Sequence, residues 1–298
     1  MKKTLLIIGL LGAFALNAAE RYVPEYLKQI SVTVRADGSE GSGSLFVRKV
    51  DGKDRVFCWS AGHVVASLRR EEERLKDGKP NKIITFDDPK LVRELRNADG
   101  RRTGEVIVDA RVIRYSPANK NDLVLLMALS EDFKAEATTE FYSATAKLHR
   151  IGTHQHHMGS FLGSSGAASY SDGVISAHGR ILFKVDFCQT SCVAYPGSSG
   201  GPVVDDDGKY TGMLVRGAGS DYNLTVPVRR MWQWTKDNGI LWSMDASKPI
   251  TMKEIDALDV EGPTESGGAG NGYHKEFPFQ LRVRKSGGLV RKSGGEIQ

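Results

Sequence analysis

The run Gly197-Ser198-Ser199-Gly200-Gly201-Pro202 concentrates the groups most able to do chemistry. Glycines bracket Ser199, so the backbone can turn tightly, project the hydroxyl and bring neighbouring N–H groups against a reacting carbonyl. Gly197, Ser198 and Ser199 would then build an oxyanion hole, with the N–H groups of Gly197 and Ser199 as its donors. A serine hydroxyl is a poor nucleophile without a base. Of the seven histidines, His63 stands out because it ends the apolar run Val56–Trp59 in the small-residue turn Ser60-Ala61-Gly62. An imidazole base needs a buried carboxylate to hold its tautomer and stabilise the imidazolium. Asp122 opens the apolar run Leu123-Val124-Leu125-Leu126, where a carboxylate is drawn towards the core and must be paired. Asp109, in mid-strand, and Asp87 and Asp88, beside a charged segment, fit that role less well. Such a trio performs acyl transfer through a Ser199 acyl-enzyme and needs neither cofactor nor metal.

Short strands must position these groups. Ile30, Val32 and Val34 alternate with Ser31 and Thr33, the period of a half-buried strand. Gly41-Ser42-Gly43 reads as a turn before Leu45–Val47. Val106–Tyr115 and Leu123–Leu126 are further strands, and Gly173–Phe187 reads as two strands broken at Gly179. Val203-Val204 and Met213–Val215 flank Asp207-Gly208, a hairpin dipeptide. Many short strands with glycine-rich turns suggest a barrel or a sandwich. Ala66–Lys76, rich in Arg and Glu, reads as an exposed helix, and Lys90–Arg96 as another; residues 66–102 look like an insertion. Pro227 is placed to start a helix over 228–238. Its Val228, Met231, Trp232 and Thr235 share one face, and Gly239 ends it.

Hydrophobic residues make up 40% of the 298-residue chain and charged residues 26%, enough apolar content for a sizeable core. The formal charge is +5, but Arg282, Arg284, Lys285, Arg291 and Lys292 against Glu296 place +4 of it at the end, so the body offers no nucleic-acid surface. Lys2 and Lys3, the apolar run Thr4–Leu16 and the small Ala18 and Ala19 read as a cleaved export signal over residues 1–19. The expectation is a secreted or periplasmic protein without stable membrane insertion. Residues 246–298, with the repeated Val-Arg-Lys-Ser-Gly-Gly, read as a flexible basic tail that can touch an anionic surface. Cys58 reads as an inert buried thiol, while Cys188 and Cys192 are close enough to pair. His154, His156 and His157 read as a solvated loop rather than a metal site. Asn223-Leu224-Thr225 matches a glycosylation sequon but lies on or beside a strand.

The order His63, Asp122, Ser199 in these contexts resembles the chymotrypsin-like superfamily. It is most similar to the protease domain of the high-temperature-requirement, or Deg-type, family. Gly41-Ser42-Gly43-Ser44-Leu45, His63-Val64-Val65, Val174–Arg180, Gln189-Thr190, Pro196–Pro202 and Val226-Pro227 carry the resemblance, over about residues 28–240. It implies an all-β fold: a double six-stranded β-barrel, over about 28–135 and 145–226, followed by a C-terminal helix, within a protease domain of residues 20–245. It implies a serine endopeptidase acting on protein or peptide substrates, with His63 and Asp122 from the first barrel and Ser199 from the second. Residues 246–298 do not resemble a PDZ domain, so PDZ-dependent substrate capture is not part of the expectation. In this fold the residue six before the nucleophile floors the primary specificity pocket. That places Val193, Ala194 and Tyr195 in the pocket, with Met213, Leu214, Val215 and Arg216 as the facing wall. The apolar floor implies small to medium aliphatic residues before the cut bond; an inward Arg216 would select Glu or Asp instead. The alternative is a catalytically silent barrel serving as a binding or chaperone module.

Overall fold

The computed structural model describes residues 22–76, 79–217 and 221–262. Helix α1 (Val23–Ile30) opens with Pro24 in its first turn and buries Val23, Tyr26, Leu27 and Ile30. It leads into β1 (Ser31–Ala36), β2 (Ser39–Val50) and β3 (Lys53–Ser60), then a separate hairpin of β4 (Arg69–Lys76) and β5 (Lys79–Phe86). Next come β6 (Lys90–Arg96), β7 (Arg102–Ser116) and β8 (Leu123–Ala128). The first barrel closes in the order β1-β2-β3-β8-β7-β6. A second barrel follows from β9 (His154–Gly159), β10 (Ser169–Leu182), β11 (Val185–Thr190), β12 (Pro202–Val204), β13 (Tyr210–Gly217) and β14 (Asn223–Pro227). It closes in the order β10-β11-β14-β13-β12-β9. Closure pairs every strand on both sides and removes the exposed edges an open sheet would carry. The fold is therefore all-β with two closed six-stranded barrels, as the resemblance implies, and a C-terminal helix, α2 (Val228–Asp237).

Trp59, Tyr210, Phe46, Phe57 and Phe187 are the largest fully buried side chains of the core. Helix α2 buries Val228, Met231, Trp234 and Thr235, whereas Trp232 is only half-buried. Trp234, rather than Trp232, meets Trp59 edge-on, with ring centroids 6.0 Å apart.

Several sequence expectations are corrected. Residues 66–76 are not a helix: a short 3-10 turn (Ala66–Leu68) leads into β4, paired with β5 from Arg69↔Phe86 to Lys76↔Lys79. Antiparallel pairing with β5, which bears Ile83, Ile84 and Phe86, outweighs the helix propensity of the Arg and Glu run. Lys90–Arg96 is likewise a strand, because Leu91 and Val92 are buried and the segment closes the first barrel between β1 and β7. Gly41-Ser42-Gly43 lies inside β2 and is no turn. The break after β10 falls at Phe183-Lys184, both at positive φ (54° and 65°), while Gly179 marks a register shift within β10. The three histidines form β9, not a loop. Cys58, Cys188 and Cys192 are all buried free thiols. Burial pushes Cys188 and Cys192 up to about 11, so both stay protonated.

The boundary at 246 also moves. Helix α3 (Met252–Asp256) carries a Thr251–Glu254 capping box and buries Ile255 in the core. The Tyr115 N–H donates to the Val260 carbonyl (2.8 Å), and Arg69 pairs with Glu261 (2.6 Å). Residues 246–262 therefore belong to the folded body; the rest of the expected tail and the leader over 1–19 lie outside the described residues. Among the described residues no helix is long and apolar enough to cross a membrane.

Candidate active site

His63 sits in a single 3-10 turn (Gly62–Val64) just past the end of β3. A Cβ at Gly62 would collide with the Ser116 carbonyl, so only glycine lets this turn lie against the end of β7. Asp122 immediately precedes β8 in a left-handed conformation (φ 56°), which Asp tolerates better than most residues. Its N–H donates to the Pro117 carbonyl (3.1 Å), and its side chain is fully buried. Both carboxylate oxygens lie 3.0 Å from His63 Nδ1, and Oδ1 also accepts the His63 backbone N–H at 3.0 Å. The carboxylate thus fixes the ring through two points and leaves Nε2 as its remaining basic atom.

Arg216, on β13, reaches the same carboxylate: Nη2 is 3.3 Å from Asp122 Oδ2 and donates to the Ala118 carbonyl at 2.5 Å. Burial alone pushes the Asp122 carboxyl up; His63 and then Arg216 outweigh it and hold the group below the usual carboxylate range.

Ser199 lies between β11 and β12, half-buried, with its hydroxyl donating to the Val215 carbonyl at 3.3 Å. The loop before it is held from three sides. The Pro196 carbonyl accepts from the Leu162 N–H (2.7 Å), which turns the Gly197 N–H of the same trans peptide the opposite way. Gly197 has φ 96°, and a Cβ there would strike the Ser160 carbonyl. The Ser198 N–H is taken by the Tyr195 carbonyl (2.9 Å), while its hydroxyl accepts the Tyr195 N–H (3.0 Å). Ser198 therefore braces the loop within the expected Gly197–Ser199 segment, and its N–H is not left over as a donor. The N–H groups of Gly197 and Ser199 have no acceptor among the described residues.

Sequence reasoning missed one residue that ties the serine loop to the first barrel. Ser42, on β2 of the first barrel, donates its N–H to the Ser199 carbonyl (2.7 Å) and its hydroxyl to the Gly197 carbonyl (2.6 Å). Its own carbonyl accepts from Ser60 Oγ (2.7 Å). Its flanking glycines are the signal: a Cβ at Gly41 would strike Val64, and one at Gly43 would strike Cys58. Glycines inside a strand mark such close approach.

Met213 and Val215 point into the main core, and Leu214 packs with Ala194 and Val203 in a small apolar cluster. Val193 is half-buried and Tyr195 exposed. Arg216 turns to Asp122 and stacks near Phe183 (5.4 Å), away from this apolar group. Asp109 is exposed and pairs with Lys90 (2.6 Å), while Asp88 is also exposed and is held above the usual carboxylate range by partial desolvation and then by Asp109. Asn223 is fully buried, its amide donating to the Cys192 carbonyl (2.7 Å), so the sequon is not available for glycosylation.

Two closed barrels, with a histidine–aspartate pair at the ends of strands in one and a glycine-bounded serine in the other, define the chymotrypsin-like serine endopeptidase fold. The chain belongs to the trypsin-like peptidase domain family, whose model matches residues 41–213. No curated protein sequence matches it. Among solved structures it is similar to Deg5, at 19% identity over 69% of this chain and 87% of that one, with a TM-score of 0.48. It is also similar to the HtrA-type protease AlgW with tripeptide (20% identity, 72% of this chain, 60% of that chain, TM-score 0.49). The serine endoprotease from Yersinia pestis is a third such structure (19% identity, 72% of this chain, 63% of that chain, TM-score 0.47). The chain thus spans less than two thirds of the length of the latter two.

Proposed function

We propose that Ser199 is the nucleophile of an exported endopeptidase, with His63 as base and then acid and Asp122 as the group that orients it. The observation that carries this reading is the two-point grip of Asp122 on His63, in a frame where Ser42 ties the serine loop to the first barrel. In the reaction, His63 Nε2 takes the Ser199 hydroxyl proton as Oγ attacks the peptide carbonyl. The N–H groups of Gly197 and Ser199 stabilise the oxyanion. The imidazolium then protonates the leaving amine, and water, deprotonated by Nε2, releases the acyl group. The packing of Ala194 with Val203 and Leu214, beside the uncharged Val193, supports cleavage after small to medium aliphatic residues, since an unpaired cation there would cost several kcal/mol. The leader at residues 1–19 supports secretion or a periplasmic site.

The Ser199–Val215 hydrogen bond favours weighing a second reading, a silent binding or chaperone module, because the hydroxyl must rotate to meet His63. A fluorophosphonate probe separates the two. An active Ser199 is labelled and Ser199→Ala is not; an unlabelled, folded protein would reject the endopeptidase reading.

A further inference from the structure

On the outer face of the second barrel lies a group of side chains that the proteolytic site does not use. Strand alternation puts His154 and His156 on one face of β9 and sends His157 inward, where it is fully buried. β9 is paired with β10, Asp172 opposite His156, and with β12, Val204 opposite His156. Asp206, in the β12–β13 hairpin, therefore arrives beside both rings. His154 Nδ1 is 2.7 Å and His156 Nε2 2.8 Å from the same oxygen, Asp206 Oδ1. The two ring centroids are 4.4 Å apart.

The opposite ring nitrogens are also held. His154 Nε2 meets Asp172 Oδ2 at 3.2 Å, and His156 Nδ1 meets the Tyr170 hydroxyl at 2.7 Å. With Nε2–H of His154 donating to Asp172 and Nδ1–H of His156 donating to Tyr170, the free lone pairs of both rings face Asp206. This is the arrangement by which outer partners orient metal-ligating histidines. No serine hydroxyl is among the hydrogen-bond partners of these side chains within the described residues, so the cluster has no nucleophile to activate.

We propose that His154 Nδ1, His156 Nε2 and the Asp206 carboxylate bind one divalent transition-metal ion, with zinc as the ion the donors suit. Two imidazoles and one carboxylate are a donor set for zinc, and solvent can fill a fourth position on the exposed Asp206 side. The candidate ligand atoms all lie within 4.8 Å of one another. Tetrahedral zinc holds its ligand atoms about 3.4 Å apart. The two Asp–His contacts would open by under an ångström, within reach of side-chain rotation. The ion would join β9 to the β12–β13 hairpin, fastening the strand that leaves the serine loop at Pro202.

The test is calorimetric titration of zinc into the full chain carrying Ser199→Ala, which removes self-cleavage. One ion per chain should bind, with a Kd of about 10 µM or tighter. Zinc at 100-fold excess over that Kd should raise Tm by about 5 °C. Cobalt in place of zinc should show visible absorption bands of a low-coordinate site. His156→Ala and Asp206→Asn should each abolish the zinc-dependent Tm rise, and Asp172→Asn should weaken binding about 10- to 100-fold. Asp206 is an exposed hairpin residue, so Asp206→Asn decides the matter even if His156→Ala misfolds. Absence of binding by the intact chain, or unchanged binding in Asp206→Asn, would overturn the site.

Discussion

Arg216 Nη2 stands 3.3 Å from Asp122 Oδ2, so one fully buried carboxylate is shared between His63 of the first barrel and a guanidinium of the second. Phe183 and Phe187 flank that guanidinium, at 5.4 and 6.0 Å from its carbon, and shelter the pair from water. Hydrogen bonds from His63 and the Arg216 guanidinium keep Asp122 ionised where burial alone would neutralise it.

Removing the guanidinium with Arg216→Met should therefore let the Asp122 carboxyl titrate at higher pH and cost about 1.5–3 kcal/mol of stability. Because the folded Asp122 is held below its unfolded value, its contribution is present above the unfolded carboxylate range and fades as pH falls through the folded one. The variant's acid-unfolding midpoint, followed by circular dichroism, should move to higher pH. A midpoint identical to that of the parent would remove Arg216 from this role.

Ser199→Ala and His63→Ala should each lower kcat by on the order of 10⁴ to 10⁶-fold, since a nucleophile and its base act as a unit. Asp122→Asn should lower it about 10⁴-fold by stabilising the wrong tautomer of His63. Asp109→Asn, at an exposed residue paired with Lys90, should leave turnover near the parent value. Peptide hydrolysis rates for the four variants check the assignment, and the reverse ranking of Asp109 and Asp122 would refute it.

Cleavage-site profiling on a denatured proteome should return Val, Ala, Ile and Leu before the cut bond, with gradations of about 1–3 kcal/mol per methylene. Glu and Asp should be rare, because Arg216 is committed to Asp122 and the Ala118 carbonyl. A profile dominated by Lys or Arg would defeat the proposed assignment of Val193 and Ala194 to an apolar specificity pocket.

His157 sets a limit on acid stability. Its ring is fully buried, stacked on Phe161 at 5.8 Å, and Nδ1 donates to the Pro202 carbonyl at 2.9 Å. Burial pushes it down to about 4, with the Pro202 carbonyl partly opposing. The neutral ring is thus favoured by the fold, and the stability it confers is whole above the unfolded value of about 6.5. As pH falls from there towards 4, the unfolded chain gains a proton that the fold refuses, at a cost reaching about 3 kcal/mol. His157→Gln should flatten that part of the stability curve in urea titrations between pH 7 and 4. An unchanged slope would mean the ring protonates in place.

Ending the chain at 246 should destabilise it relative to ending it at 262. The shorter chain loses Ile255, which is 2% exposed, and the Val260 bond to Tyr115. Burial of one such side chain contributes about 1.5–3 kcal/mol, so a difference of several degrees in Tm should appear by calorimetry. Equal Tm values would place residues 247–262 outside the cooperative unit.

What the amino-acid order determines by itself is local. Glycines around Ser199, small residues before His63 and an apolar run after Asp122 are short-range patterns, and each marks a strand end where a polar group must find a partner. The two-residue period of β1, the Asp207-Gly208 hairpin and the proline-started helix after β14 are legible for the same reason. Only the tertiary structure decides what depends on distant pairing. Lys90–Arg96 carries a helix-compatible composition, but closing a barrel between β1 and β7 turns it into a strand. Ile255 and Val260 sit in a sparsely apolar stretch whose partners, such as Tyr115, lie far back in the chain. Ser42 and Arg216 show the same dependence. One is a serine between glycines and the other a lone cation, until folding sets Ser42 under the Ser199 carbonyl and Arg216 against Asp122. A buried polar group is costly unless matched, and the match for these residues comes from the opposite barrel, at separations no local pattern encodes.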